Sequence, residues 1–548
     1  MAEKGLIFMA TEINIPKHES RFFLFLFLLF GMFSNVAGQN WSSGGVLSEY
    51  QKSFDIHYYS LNLKIDPDNK FLEGFTDVHV YGLVDDASVI ELDLVRNYQV
   101  TNVYENGVPA QFSHEEDKLF VFLTNEISKD EKVQLRVEYS GHPPVAVRPP
   151  WEGGFNWSVD SEGNHWVGVS CQLEGAKIWF PAKDHPVSRA DSVSLNITVP
   201  KPYKVASNGL LQERTVRDSD WHTWHWKTRY PIHNYNVSIN IGLFETVEDK
   251  YLAEDGTVVP VIFYVLPQDK HRAGELLEIT IQKLKQMRVY YGEYGFTSEK
   301  FGLVQTDYLG MEHQTINSYG NDFRYTVIDG KAYDWLLLHE LIHEWWGNLI
   351  TVSDWADFWI HEGITTYTDA LFLWDYFSEE TYHAKIAEYK GFIRNHQPII
   401  PGENVTSAEV YNHDVYYKGA YFMHTLSFVM GRGTFMNLLR AFALQNRYQY
   451  TSTEELRSFF ETYSGIGLKG LFDLYLYSTE LPELLVEENS DGKFAVSIPN
   501  IDFNLSVEIL TSNGKSIHKI GPEPTVIESE TNPEVDPGNW YLWRHTFE

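Results

Sequence analysis

Residues 335–350 read WLLLHELIHEWWGNLI. His339 and His343 stand four apart within them, so on an α-helix both imidazoles leave one face and reach one metal ion. Glu340 projects beside them, close enough to act on a water at that metal. Leu337, Leu341 and Trp345 fall on a neighbouring face that can anchor the helix in a core. Two histidines and a glutamate on so apolar a helix would be costly to bury without a common ligand. The stretch predicts a buried helix that carries a metal-type motif.

A zinc hydrolase needs a third protein ligand and an open fourth position for water. Residues 358–369, FWIHEGITTYTD, read as a second helix with Glu362 in its first turns, nineteen residues beyond His343. Two histidines and this glutamate would hold one Zn2+ per chain with one coordination site free.

Upstream, residues 50–249 are strand-like. Leu61, Leu63 and Ile65 alternate, as do Val78 and Val80, and Ile90, Leu92 and Leu94. Turn signals such as Pro67-Asp68-Asn69 and Asn106-Gly107 separate the runs. Helical spacing begins after residue 265, with Leu277, Ile281, Leu284 and Tyr291 on one face. A short strand, FGLVQT, follows at residues 301–306. The last seventy residues return to strand character, with Asn513-Gly514 as a hairpin candidate. This organisation predicts a multidomain α+β chain: an N-terminal antiparallel β domain over 45–249, a mainly helical catalytic domain over 250–478 and a small C-terminal β domain over 479–548.

Bulk properties narrow the partners. The 548 residues carry a formal net charge of −32, which repels nucleic acid and anionic membranes. A hydrophobic fraction of 43% and a mean hydropathy of −0.30 describe a soluble globular chain. Lys4, Lys17 and Arg21 precede the apolar run of residues 22–33, and small residues follow in SNVAGQ. That order describes a signal peptide over residues 1–38, and hence a secreted or periplasmic protein without stable membrane insertion once the signal is removed. Cys171 is the one cysteine, so no internal disulfide forms.

At HELIH and Glu362 the sequence resembles the gluzincin zinc aminopeptidases, the aminopeptidase N and leukotriene A hydrolase type. The resemblance implies His339, His343 and Glu362 as zinc ligands and Glu340 as general base. Gly310-Met311-Glu312-His313 resembles the family's G-x-M-E-N motif, whose glutamate binds the substrate's free α-amine. Leu309 stands where the family usually has its first glycine, and His313 where it has asparagine. Gln172 and Glu174, in CQLE, resemble the Q-x-Q/E segment, which implies that Glu174 shares the amine with Glu312. WFPAKDHP, at 179–186, resembles a structural stretch. Tyr416-Tyr417-Lys418-Gly419 resembles Y-x-K-G, which implies Tyr416 as the oxyanion tyrosine, with Tyr417 as the alternative by one register step.

The resemblance covers residues 50–480 and implies a thermolysin-like catalytic domain in a short form lacking a long C-terminal helical domain. The implied activity is zinc-dependent hydrolysis of the N-terminal peptide bond of peptides with a free N-terminus. The alternatives are a zinc endopeptidase or other hydrolase on the same metal core, and a non-catalytic peptide-binding protein.

Overall fold

Strand Phe54–Asp66 shows how alternation builds the first half. Leu61, Leu63 and Ile65 are buried, while Asn62 and Lys64 between them are half-buried. The computed structural model describes residues 41–488 and 493–544; the expected signal segment, 1–38, lies outside them. Phe54–Asp66 lies inside an eight-stranded sheet, antiparallel to Phe71–Gly82 and parallel to Ser192–Pro200. The other pairs of that sheet are antiparallel. The parallel pair departs from the sequence expectation because a long excursion, not a hairpin, separates its strands.

Strand His165–Ser170 runs between Gly154–Val159 and Ile239–Gly242 in a four-stranded sheet. Its end delivers Cys171, Gln172 and Glu174 towards the helical half. The segment FPAKDHP clamps the first described residues: Ser43 Oγ donates to Asp184 at 3.0 Å, and His185 Nε2 meets the Gly45 carbonyl at 2.9 Å.

The helical half begins with a hairpin, Glu245–Leu252 and Val258–Val265. The expected boundary at 249/250 falls inside the first of these strands, which pairs along its length with the second. Phe301–Gln305 and Asn317–Tyr319 add in parallel, and Gly310–Met311 closes the edge antiparallel. Helix α1 (Lys270–Tyr291) covers this sheet and buries Leu277, Leu284 and Tyr291. Helices α2 (Trp335–Ile342), α3 (Trp359–Tyr376), α4 (Glu379–Phe392), α5 (Ser407–Val410) and α6 (Tyr417–Met430) follow.

Helix α2 is shorter than the apolar run suggests. It ends at Ile342, with His343 as its cap still in right-handed helical conformation. Beyond it the chain loosens to i→i−5 bonds, from Asn348 N–H to His343 O, Leu349 to Glu344 and Ile350 to Trp345. Gly347, at φ +129°, permits that turn.

Two three-stranded sheets form the C-terminal β layer. In its hairpin Thr511 pairs with Gly514, so Ser512 and Asn513 make the turn and Gly514 takes φ +105°. The layer docks on α6: Trp540 stacks on His424 and Phe428 at ring separations of 4.6 and 4.7 Å, and Thr425 Oγ1 donates to the Trp540 carbonyl.

Candidate metal centre and amine site

Helix α2 is pinned at both ends to one strand. At its N-terminus Asp334 accepts from the Leu337 N–H, Tyr319 OH and Asn321 Nδ2. Beyond its C-terminus Glu344 accepts from Thr315 N–H at 2.9 Å and Asn317 Nδ2 at 3.0 Å. Burial pushes the Glu344 carboxyl up to about 8. Tyr319 and Ser318 of the same strand pair with Gly310 and Met311. One ladder therefore sets the distance between the G-x-M-E segment and HELIH.

The metal-type residues converge. His343 Nε2 lies 3.3 Å from His339 Nε2, and Glu362 Oε2 lies 3.5 Å from the first-named helix residue His339 and 3.4 Å from His343. A tetrahedral cation with bonds of about 2.0–2.1 Å separates its ligands by about 3.3–3.4 Å. The triangle fits Zn2+. Glu362 Oε2 is buried without a hydrogen-bond donor among the described residues, as a carboxylate oxygen reserved for a cation would be. Burial opposes its ionisation, but His343 and His339 hold its carboxyl well below the usual range.

Both imidazoles are aimed from behind. His339 Nδ1 lies 3.0 Å from Asp369 Oδ2, and His343 Nδ1 lies 2.9 Å from the Trp346 carbonyl. Each acceptor places a proton on Nδ1 and leaves the Nε2 lone pair facing the triangle. Asp369 was not among the residues singled out from the sequence. Its signal was there, because it lies seven residues after Glu362, two turns along the same helix.

Glu340 is buried, and burial pushes its carboxyl up to about 8, with His339 and His343 pulling it back. An added Cβ on Gly310 would sit 2.3 Å from Glu340 Oε1. Gly310 thus makes room for the Glu340 carboxylate. Single carboxylate or imidazole atoms of Glu312, Glu340 and His343 lie within 4.8 Å of one another.

Glu312 is 3% exposed, and burial raises its carboxyl. Its Oε1 accepts from Gln172 Nε2 and, at 3.0 Å, from Tyr235 OH. Gln172 and Tyr235 come from the N-terminal β half, so the site is built across both halves. Tyr235 lies 77 positions from Glu312 and had no local sequence signal. Glu174 accepts the Gly153 N–H at 2.7 Å through Oε1, while Oε2 is buried with no partner among the described residues. Burial pushes its carboxyl up to about 7. Met311 is buried on the edge strand. Leu309 is half-buried, its carbonyl held by Gly320 N–H at 2.7 Å. The His313 ring is fully buried with Nδ1 near Ser318 Oγ at 3.3 Å. Burial drives it down to about 3, so it stays neutral.

Helices α3 and α6 approach through glycine: an added Cβ on Gly363 would meet Gly419 Cα at 2.9 Å. That contact brings Tyr416 to the centre. Its ring lies 6.5 Å from the His339 ring at 25°. Tyr417 turns away and packs on Phe392 and Tyr389 of α4, at 5.0 and 5.6 Å. Lys418 is buried and donates to the Ser478 carbonyl at 2.9 Å.

The chain matches the Peptidase M1 N-terminal domain over residues 56–235 and the Peptidase family M1 domain over residues 277–475. It is 22% identical to aminopeptidase N of Haemophilus influenzae over 467 residues, covering 81% of this chain and 51% of that protein. To aminopeptidase M1 of Arabidopsis thaliana it is 24% identical over 408 residues, covering 71% and 45%. The chain spans about half the length of these curated relatives. Among solved structures it resembles a variant M1 zinc metallopeptidase of Deinococcus radiodurans bound to a Tyr-Ser-Ala substrate. The TM-score is 0.67 at 21% identity, with 79% of this chain and 96% of that one covered. That likeness concerns the fold; the two matched domains, in order and across the same bipartite site, carry the assignment. The chain belongs to peptidase family M1, the gluzincin family of aminopeptidase N.

Proposed function

We propose that the chain is a zinc-dependent aminopeptidase that hydrolyses the N-terminal peptide bond of peptides. The observation that carries this reading is the closeness of the Glu312 carboxylate to the metal-type triangle, through Glu340 and His343 within 4.8 Å. In a peptide the α-nitrogen lies only about 2.5 Å from the carbonyl carbon of the same residue. An ammonium held at Glu312 therefore leaves room at the triangle for the first peptide bond and no later one.

His339, His343 and Glu362 would hold Zn2+, which supplies a Lewis acid to polarise the scissile carbonyl and lower the pKa of water at the open position. Glu340 takes the proton of the attacking water and delivers it to the leaving amine. The Tyr416 phenol donates to the oxygen that gains charge as the carbonyl becomes tetrahedral. Glu312 and Glu174 hold the substrate ammonium, while Gln172 and Tyr235 fix the Glu312 carboxylate in place. Gly310 and Met311 form the edge against which the substrate backbone lies.

The basic and apolar order of residues 4–33 supports export of the mature chain. Among the described residues no helix is long and apolar enough to cross a membrane.

The test compares a peptide with a free N-terminus and its N-acetylated twin, each with and without a chelator. Release of one residue from the free peptide alone, abolished by chelation, is the expected result. Equal cleavage of the acetylated twin would establish an endopeptidase instead.

A further inference from the structure

Arg189 is 9% exposed, and it reaches from the β half to Asn348 in the helical half. Its Nη2 donates to the Asn348 carbonyl at 2.6 Å and, marginally, to the Pro231 carbonyl at 3.5 Å. Its Nε and Nη1 are buried and have no hydrogen-bond partner among the described residues.

Among the described residues no carboxylate forms an ion pair with the guanidinium. The ionisable groups that act on the guanidinium are Tyr450, Tyr448 and Tyr235, with no carboxylate among them. Those phenols already donate elsewhere, to the Val187 carbonyl, the Gly295 carbonyl and Glu312 respectively. The neighbouring His233 ring stays neutral, because burial drives it down to about 3. His361 Nε2 accepts the Val352 N–H at 3.2 Å, so its proton sits on Nδ1, another buried donor with no partner among the described residues. Burial brings the guanidinium down only to about 10, and it stays charged at neutral pH. A buried cation with two unpartnered N–H groups and no carboxylate partner among the described residues violates the rule that buried charges are paired.

We propose that a small monovalent anion, chloride, binds against Nε and Nη1 of Arg189 at the junction of the two halves. Such an ion neutralises the guanidinium and fixes the fork so that Nη2 stays on the Asn348 carbonyl. Asn348 Nδ2 in turn donates to the Glu312 carbonyl at 2.8 Å and to Glu344 at 3.3 Å. The anion thereby steadies the loop that joins the amine site to the helix of the metal-type histidines. The site stands independently of the hydrolytic reading, because its readout is stability.

The experiment uses the full chain, dialysed free of chloride. Its melting temperature is measured against sodium chloride, sodium bromide and sodium gluconate at matched ionic strength. Chloride and bromide should each give a saturable rise of roughly 2 °C or more over gluconate. Arg189→Met should abolish the difference, and crystals soaked in bromide should show anomalous density within hydrogen-bonding distance of Nε and Nη1. Equal melting in chloride and gluconate overturns the proposal, as does a chloride effect undiminished in Arg189→Met. Should that variant not fold, the bromide crystals of the parent chain decide, and density for water alone at the guanidinium overturns it.

Discussion

Replacing Gly310 with alanine tests the coupling between the edge strand and the base. The new Cβ would lie 2.3 Å from Glu340 Oε1 and 2.7 Å from Leu336 Cδ1, where ordinary contact begins at 3.4 Å. The strand cannot yield easily, because Gly310 pairs with Tyr319 and the Leu309 carbonyl is held by Gly320. Gly310 does not occupy the left-handed region, so alanine brings steric displacement without backbone strain. The Glu340 carboxylate must retreat by about 1 Å, a misplacement that costs about 100-fold in kcat, or roughly 2.7 kcal/mol in the barrier. His339, His343 and Glu362 are untouched by the new methyl, so bound zinc should remain at one per chain. The assay is steady-state hydrolysis of an aminoacyl p-nitroanilide, with metal content measured on the same sample. A kcat within about threefold of the parent, or loss of the zinc, would refute the claim that Gly310 serves the base.

Asp369→Asn should weaken zinc binding by about 10–100-fold in a competition with a chromogenic chelator, because the His339 ring loses its charged acceptor; an unchanged affinity counts against the orienting role. Tyr416→Phe should lower kcat by about 100–1,000-fold, while Tyr417→Phe, which packs on α4, should stay close to the parent; the reverse order would move the oxyanion role one residue along. Glu174, raised to about 7 by burial, carries a proton below that pH and then offers no charge to an ammonium. KM should therefore rise about tenfold between pH 8 and pH 6, and this limb of the KM profile should vanish in Glu174→Gln. A limb that persists in that variant belongs to another group.

The sequence made the candidate metal centre legible because its main parts are local. A four-residue spacing on an apolar helix aims His339 and His343 together, and Glu362 begins a second helix of equally clear pattern. Asp369 follows the same periodicity and could have been read two turns beyond Glu362. Alternation likewise exposed the β half, although the parallel pairing of Phe54–Asp66 with Ser192–Pro200 has no signature in either strand.

Other features were decided only when distant segments met. Tyr416 and Tyr417 are neighbours of one type, and it is the Gly363–Gly419 crossing that turns the first towards His339 and the second towards α4. Tyr235 reaches Glu312 from the other half of the molecule, and Gly310 gains its purpose from a carboxylate thirty residues away in α2. Periodicity fixes which way a side chain leaves its own helix or strand, since that depends on bonds within a few residues. Which group it then meets depends on how whole elements pack, and Arg189, unremarkable in the chain, became a buried and uncompensated charge only through that packing.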